Sequence, residues 1–172
     1  MDNQRQAVVT ELDLAFMAGL FAGEGSICIV VGKFPNGERY PNMHAGFATT
    51  ERCWADWFHE AFGGTKHIYP PKKETNKFIF FWRVGGQAAE NFLKAIRPYL
   101  KGEKVKQLEL ALRYREAKRQ CKAAGEKISQ KTDLWDGFKA ELKALRRAAA
   151  ETNRTDASHT QSDSPTPQVT AD

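Results

Sequence analysis

A lone carboxylate, Glu24, follows a run of small residues in Met17-Ala18-Gly19-Leu20-Phe21-Ala22-Gly23-Glu24-Gly25-Ser26, and no other stretch of the chain carries so clear a chemical suggestion. A helix starting near Thr10, with Asp13 closing a capping box, turns by about 100° per residue. Ala15, Ala18, Gly19, Ala22 and Gly23 then share one arc, and Leu12, Phe16, Met17, Leu20 and Phe21 share the opposite one. The large arc is expected to enter a core. The small arc admits a second helix, because Ala and Gly leave nothing between two axes. Glu24 falls at the negative end of the helix dipole, unfavourable for a carboxylate by roughly 0.3–1 kcal/mol, and a second copy brought close adds like-charge repulsion. A hard divalent cation, which takes carboxylate and backbone carbonyl oxygens, relieves both. The pattern therefore predicts paired metal sites at a seam between two helices.

The elements that must position this acid follow in order. After Ser26 the period becomes alternating: Ile27, Ile29 and Val31 face a core, Gly32 to Glu38 makes a hairpin tip, and a return strand runs from about Arg39 to Thr49. Met43, Ala45 and Phe47 point to one side of it, and Tyr40, Asn42 and His44 to the other. Thr50 is expected to cap a helix carrying Trp54, Phe58 and Phe62, ended by Gly63-Gly64. Strands at Thr65 to Tyr69 and Lys77 to Val84 and a helix from Gln87 to Leu100 complete an αββαββα order. Lys104 to about Ala123 reads as a charged helix, and Leu134, Phe138, Leu142 and Leu145 stripe a last one.

The stretch Met17 to Gly25 resembles the signature helix of the LAGLIDADG homing endonuclease family, keeping its small residues, its last acid and its terminal Gly. It departs at Ala22, where the family name has an Asp, and in using Glu as the last acid. Tyr99-Leu100-Lys101 followed by Lys104-Val105-Lys106-Gln107-Leu108-Glu109-Leu110 resembles the family's L-K-x-K-x-x-Q-x-E-L run with one residue added. The αββαββα order, an α+β fold with a curved antiparallel sheet and here extra C-terminal helices, is also what the resemblance implies.

The resemblance implies a site-specific endonuclease acting on double-stranded DNA by divalent-metal-dependent phosphodiester hydrolysis. Glu24 and the Gly23 carbonyl would hold Mg²⁺, with Mn²⁺ or Ca²⁺ as possible substitutes, Ca²⁺ without catalysis. Lys104 matches the basic residue near the family's metal sites and would be catalytic. The family's solvent-orienting Gln at the end of the second strand is replaced by Thr49 or Thr50. One signature helix implies a homodimer, with Ala15, Ala18, Gly19 and Ala22 at the interface and a palindromic or nearly palindromic target. On the open sheet face, Tyr40, Asn42, His44, Lys66, Lys77 and Arg83 are expected to meet bases or nearby phosphates, and Lys33, Lys72 and Lys73 in the turns to meet phosphates. The alternative is a relative that binds nucleic acid without cutting it, as an intron-splicing maturase or a DNA-binding regulator.

Charge agrees with a polyanionic partner. The chain of 172 residues carries +5, and residues 1–150 hold 25 bases against 17 acids, or +8. The three cysteines form no C-x-x-C and the four histidines no zinc spacing. Reduced thiols and the lack of a signal peptide or a spanning segment lead to the expectation of a cytoplasmic, nucleoid-associated protein of a prokaryote, phage or organelle, with no membrane or small-molecule partner. The expected organisation is a core over residues 1–123, a helical extension packed on it over 124–150, and a disordered tail over 151–172, where Thr, Ser, Asp and Pro dominate.

Overall fold

The computed structural model describes residues 9–71, 73 and 76–160. Helix α1, Glu11–Glu24, starts where Thr10 accepts from the Asp13 N–H and Asp13 answers through the Thr10 N–H at 2.9 Å, the expected capping box. It runs directly into strand β1, Gly25–Lys33, which pairs antiparallel with β2, Arg39–Thr49, across a tip containing Gly37. Helix α2, Arg52–Phe62, ends at Gly63 and Gly64, whose φ of 67° and 91° turn the chain into β3, Thr65–Tyr69. Strand β4, Ile79–Gly85, and helix α3, Gly86–Ile96, follow. The four strands form one antiparallel sheet in the order β1-β2-β4-β3.

Alternation decides which side of the sheet is covered. Ile27, Ile29, Met43, Ala45, Phe47, Trp82 and Val84 all point to the helices and are almost wholly buried. Phe47, Phe58, Trp82 and Phe92 interlock there, with Phe47 and Phe58 ring centres 4.6 Å apart. The Trp82 indole N–H donates to the Gly63 carbonyl at 2.9 Å and ties the end of α2 to the sheet.

Beyond this unit, α4, Glu103–Ala123, and α5, Thr132–Thr160, pack on each other and on the β1–β2 hairpin. Trp135 is fully buried, edge-on to Tyr114 at 5.6 Å, whereas Leu134 is exposed. The apolar stripe of α5 is therefore Trp135, Phe138, Leu142 and Leu145, one residue away from the expected start at Leu134. The disordered tail expected from Glu151 is corrected over its first ten residues, because α5 continues to Thr160. Adding residues to an existing helix avoids the nucleation cost. Residues 161–172 lie outside the described residues. Thr50 does not cap α2 either, since Glu51 occupies that position without a side-chain bond. Among the described residues no helix is long and apolar enough to cross a membrane.

Candidate functional site

The last bond of the α1 ladder runs from the Gly25 N–H to the Phe21 carbonyl, so the carbonyls of Ala22, Gly23 and Glu24 lie past its end. Gly25 has an ordinary extended φ of −74°, yet a Cβ there would stand 2.3 Å from the Phe21 oxygen and overlap the Phe21 ring. Glycine is needed for this close approach rather than for its backbone freedom. The tight junction leaves Glu24 exposed, on a cleft shared with Thr49, Thr50, Glu51, Trp54 and Ile79. Both threonines at the end of β2 thus line the acid's cleft, and the Thr49 hydroxyl accepts from the Glu51 N–H at 3.0 Å. Glu51, a second acid in that cleft, was not singled out by the sequence, where it reads as an ordinary helix-start residue.

On the other side of the same junction, the Lys104 ammonium donates to the Gly25 carbonyl at 2.6 Å. Burial holds its pKa below the usual lysine range, and the neighbouring Arg146 charge adds to the effect. Glu24 and Lys104, far apart in sequence, therefore meet at one junction, the acid just before Gly25 and the ammonium on the Gly25 carbonyl.

The seam of α1 is rotated from the expected one. Leu12 and Phe16 are 80% and 53% exposed, Gly19, Ala22 and Gly23 are exposed, and Ala15 is half-buried, while Ala18 is 0% exposed. Ala18 belongs to the core of its own chain, a correction to its place on the open arc. The exposed arc is turned by about 45° toward Leu12 and Phe16, because Leu14, Met17, Ala18 and Phe21 fill the space above the sheet. Phe16 leans on Trp54 and Trp57 of α2, with ring centres 6.4 and 5.7 Å away. Among the described residues, a Cβ on Gly19 or Gly23 would meet nothing within 4 Å beyond its own helix backbone.

The open side of the sheet carries Ser26, Cys28 and Val30 from β1, Tyr40, Asn42 and His44 from β2, and Phe81 and Arg83 from β4. Tyr40 lies over Gly32 and beside Phe34, whose ring centre is 4.3 Å away. The Asn42 side-chain oxygen accepts from the Met43 N–H at 2.9 Å, which points its amide donors outward. Burial and the Arg83 charge lower the His44 pKa, so its imidazole is neutral at neutral pH. Lys66 is a correction. It pairs with Trp82 in the ladder and so faces the helices, where its ammonium meets Asp56 of α2 at 2.5 Å. Its neighbours Thr65, His67 and Tyr69 occupy the open face instead, His67 and Tyr69 each 6.5 Å from the Phe81 ring. A five-residue strand with no apolar alternation hides this phase, and the pairing with β4 reveals it. Lys33 is exposed at the end of β1, Lys77 is exposed just before β4 and Lys73 is exposed in the β3–β4 loop; Lys72 lies outside the described residues.

No family model and no curated protein matches the sequence. Solved structures do match. The homing endonuclease I-CvuI is 15% identical, with a TM-score of 0.58 over 78% of this chain and 82% of that one. The archaeal intron-encoded homing endonuclease I-Vdi141I is 13% identical, with a TM-score of 0.59 over 78% and 84%. The fold is that of the LAGLIDADG homing endonucleases. A third structure, meganuclease I-SmaMI, gives 15% identity and a TM-score of 0.51, with 77% of this chain covering 43% of that one.

In the LAGLIDADG fold of this chain, the two stretches that carry the sequence resemblance stand at opposite ends of the unit and meet in space. Met17 to Gly25 forms the end of α1 and its junction with β1, Lys104 stands in the first turn of α4, and the Lys104–Gly25 hydrogen bond joins them across 79 residues.

Proposed function

We propose that two copies of this chain form a site-specific DNA endonuclease that hydrolyses both strands of a duplex, one Glu24 serving each strand. The observation that carries the reading is the junction at Gly25, with the exposed Glu24 acid just before it and the half-buried Lys104 ammonium hydrogen-bonded to its carbonyl, at the rim of an uncovered sheet face. The structural neighbours support DNA binding: I-CvuI is in complex with a DNA target in the presence of Mg, with the DNA not cleaved, I-Vdi141I is complexed with DNA, and I-SmaMI is bound to an uncleaved DNA target in the presence of calcium ions.

The donor chemistry fits a hard cation, since Glu24 and the Gly23 carbonyl both offer oxygen. Among the described residues no three acidic, histidine or cysteine side chains gather in one place. One chain is therefore short of ligands, and a partner's acid together with DNA phosphates would complete the set. When bound, Mg²⁺ supplies Lewis-acid activation and neutralises phosphate charge.

The rest is done by the protein. Gly19, Ala22 and Gly23 let two α1 helices approach and set both Glu24 carboxylates near a two-fold axis. The open faces lie along the major groove, where Asn42 presents amide donors and neutral His44 presents one donor and one acceptor to base edges. Lys104 holds a positive charge beside the phosphate being attacked, stabilising the negative charge that grows as a water oxygen bonds to phosphorus and the 3′ oxygen leaves. A two-fold dimer reads a palindromic or nearly palindromic site.

The test incubates the full chain and Glu24→Gln with a plasmid library of randomised inserts, with Mg²⁺ or with chelator. The expected result is cutting by wild type in Mg²⁺ only, and activity below about one hundredth of that for the variant, because losing a ligand costs more than the 10–100-fold typical of its supporting groups. Binding without cutting by wild type would favour the non-cleaving reading.

A further inference from the structure

The long C-terminal helix reaches back to the site. From α5, the Arg146 guanidinium donates to the Ile27 carbonyl on the free edge of β1 and lies 3.2 Å from the Cys28 sulfur. Arg146, Ala149 and Ala150 then form one wall of a cleft whose other walls are Lys104, Gln107 and the backbone of Gly25 and Ser26. This cleft begins at Gly25, the residue directly after Glu24.

Its chemistry is cationic. Lys104 and Arg146 stand close enough for the Arg146 charge to depress the Lys104 pKa, and among the described residues neither cation meets a carboxylate. Their recorded bonds go to neutral groups, the Gly25 and Ile27 carbonyls and the Cys28 thiol. Gln107 is 4% exposed, lines the same cleft, and its carboxamide makes no hydrogen bond among the described residues. Alanines at positions 149 and 150 keep the entrance open. Two like charges brought together over a buried amide gain from an anion between them, and an oxyanion accepts from ammonium, guanidinium and amide together.

Resting on the endonuclease reading above, we infer that α5 completes a phosphate site with Arg146. The cleft takes a phosphodiester of the DNA strand next to the Glu24 centre, held by Lys104, Gln107 and Arg146. The C-terminal helix thereby does more than cover the edge of β1. It ties strand engagement to the docking of an element more than a hundred residues away.

The experiment measures binding of a fluorescent random-sequence duplex by the full chain over a range of salt without divalent ions, so that cutting and target choice do not enter. Arg146→Gln keeps a donor for the Ile27 carbonyl and removes the charge; Arg146→Lys keeps the charge. A dimer losing two phosphate contacts should show a salt slope shallower by about 1.8, so that Arg146→Gln weakens about twelvefold less than wild type between 50 and 200 mM salt. Arg146→Lys should follow wild type, and the melting temperature of both should stay near the wild-type value. A wild-type slope in Arg146→Gln overturns the site, as does a loss of binding that tracks lost melting temperature in both variants. If wild type itself binds without salt dependence, the nucleic-acid reading fails as a whole, an outcome distinct from failure of Arg146 alone.

Discussion

Glu90 of α3 is buried beneath three cations, Arg115 at 2.9 Å, Arg119 at 2.7 Å and Lys94 at 2.8 Å. Burial alone would raise its pKa; the hydrogen bonds from Lys94, Arg119 and Arg115 more than reverse this and hold it at about 2. A carboxyl whose folded pKa is depressed adds stability that is present above its ordinary pKa of 4.5. That stability is lost as pH falls from about 4.5 toward 2. Glu90→Gln should therefore cost about 3 kcal/mol near neutral pH, the low end for breaking a buried ion pair because Lys94 and Arg119 can turn to water. Urea unfolding should show the variant losing less stability than wild type on acidification from pH 5 to pH 3; an unchanged difference would mean that Glu90 is not ionised in the folded protein. On the open sheet face, His44→Ala or Asn42→Ala should relax discrimination at particular base pairs by roughly 1–3 kcal/mol each. Lys73→Ala with Lys77→Ala should weaken binding to every sequence and flatten its salt dependence. Selection of bound duplexes followed by sequencing separates the two outcomes. The side of the sheet that a residue takes was legible in the sequence where strand phase was strong, as for Asn42 and His44. It was not where the ladder partner decides, as for Lys66 against Trp82.

Among the elements, α1 carries the most consequence. Its limits and capping box follow from Thr10 and Asp13, but its orientation does not follow from residue size, because Ala18 fills a tight place over the sheet while Leu12 and Phe16 remain outside. Leu12 and Phe16 stand exposed beside Gly19, Ala22 and Gly23, the surface on which the proposed dimer would close. Gly19→Leu should leave the melting temperature of the single chain within a few degrees, since open space surrounds the position. It should convert dimers to monomers in sedimentation; persistence of dimers would remove Gly19 from the seam. The helix–strand order was readable because turns and alternation mark its borders. The reach of α5 was not, because nothing local in Arg146 announces a bond to Ile27 across 119 residues.

Over the whole molecule, the +8 balance of residues 1–150, the uncovered sheet face and the acid at its rim all serve one reading: two chains, each with one Glu24, acting on two strands. The most direct measurement mixes equal amounts of wild type and Glu24→Gln, allows subunits to exchange, and follows supercoiled plasmid carrying the selected site. Random pairing makes half of the dimers mixed, and each mixed dimer should cut only one strand, so nicked circles should accumulate well beyond those formed by wild type alone. Linear product falling in proportion to wild-type dimers, with no rise in nicked circles, would contradict one acid per strand. Full cutting by Glu24→Gln alone would contradict the role of the acid itself.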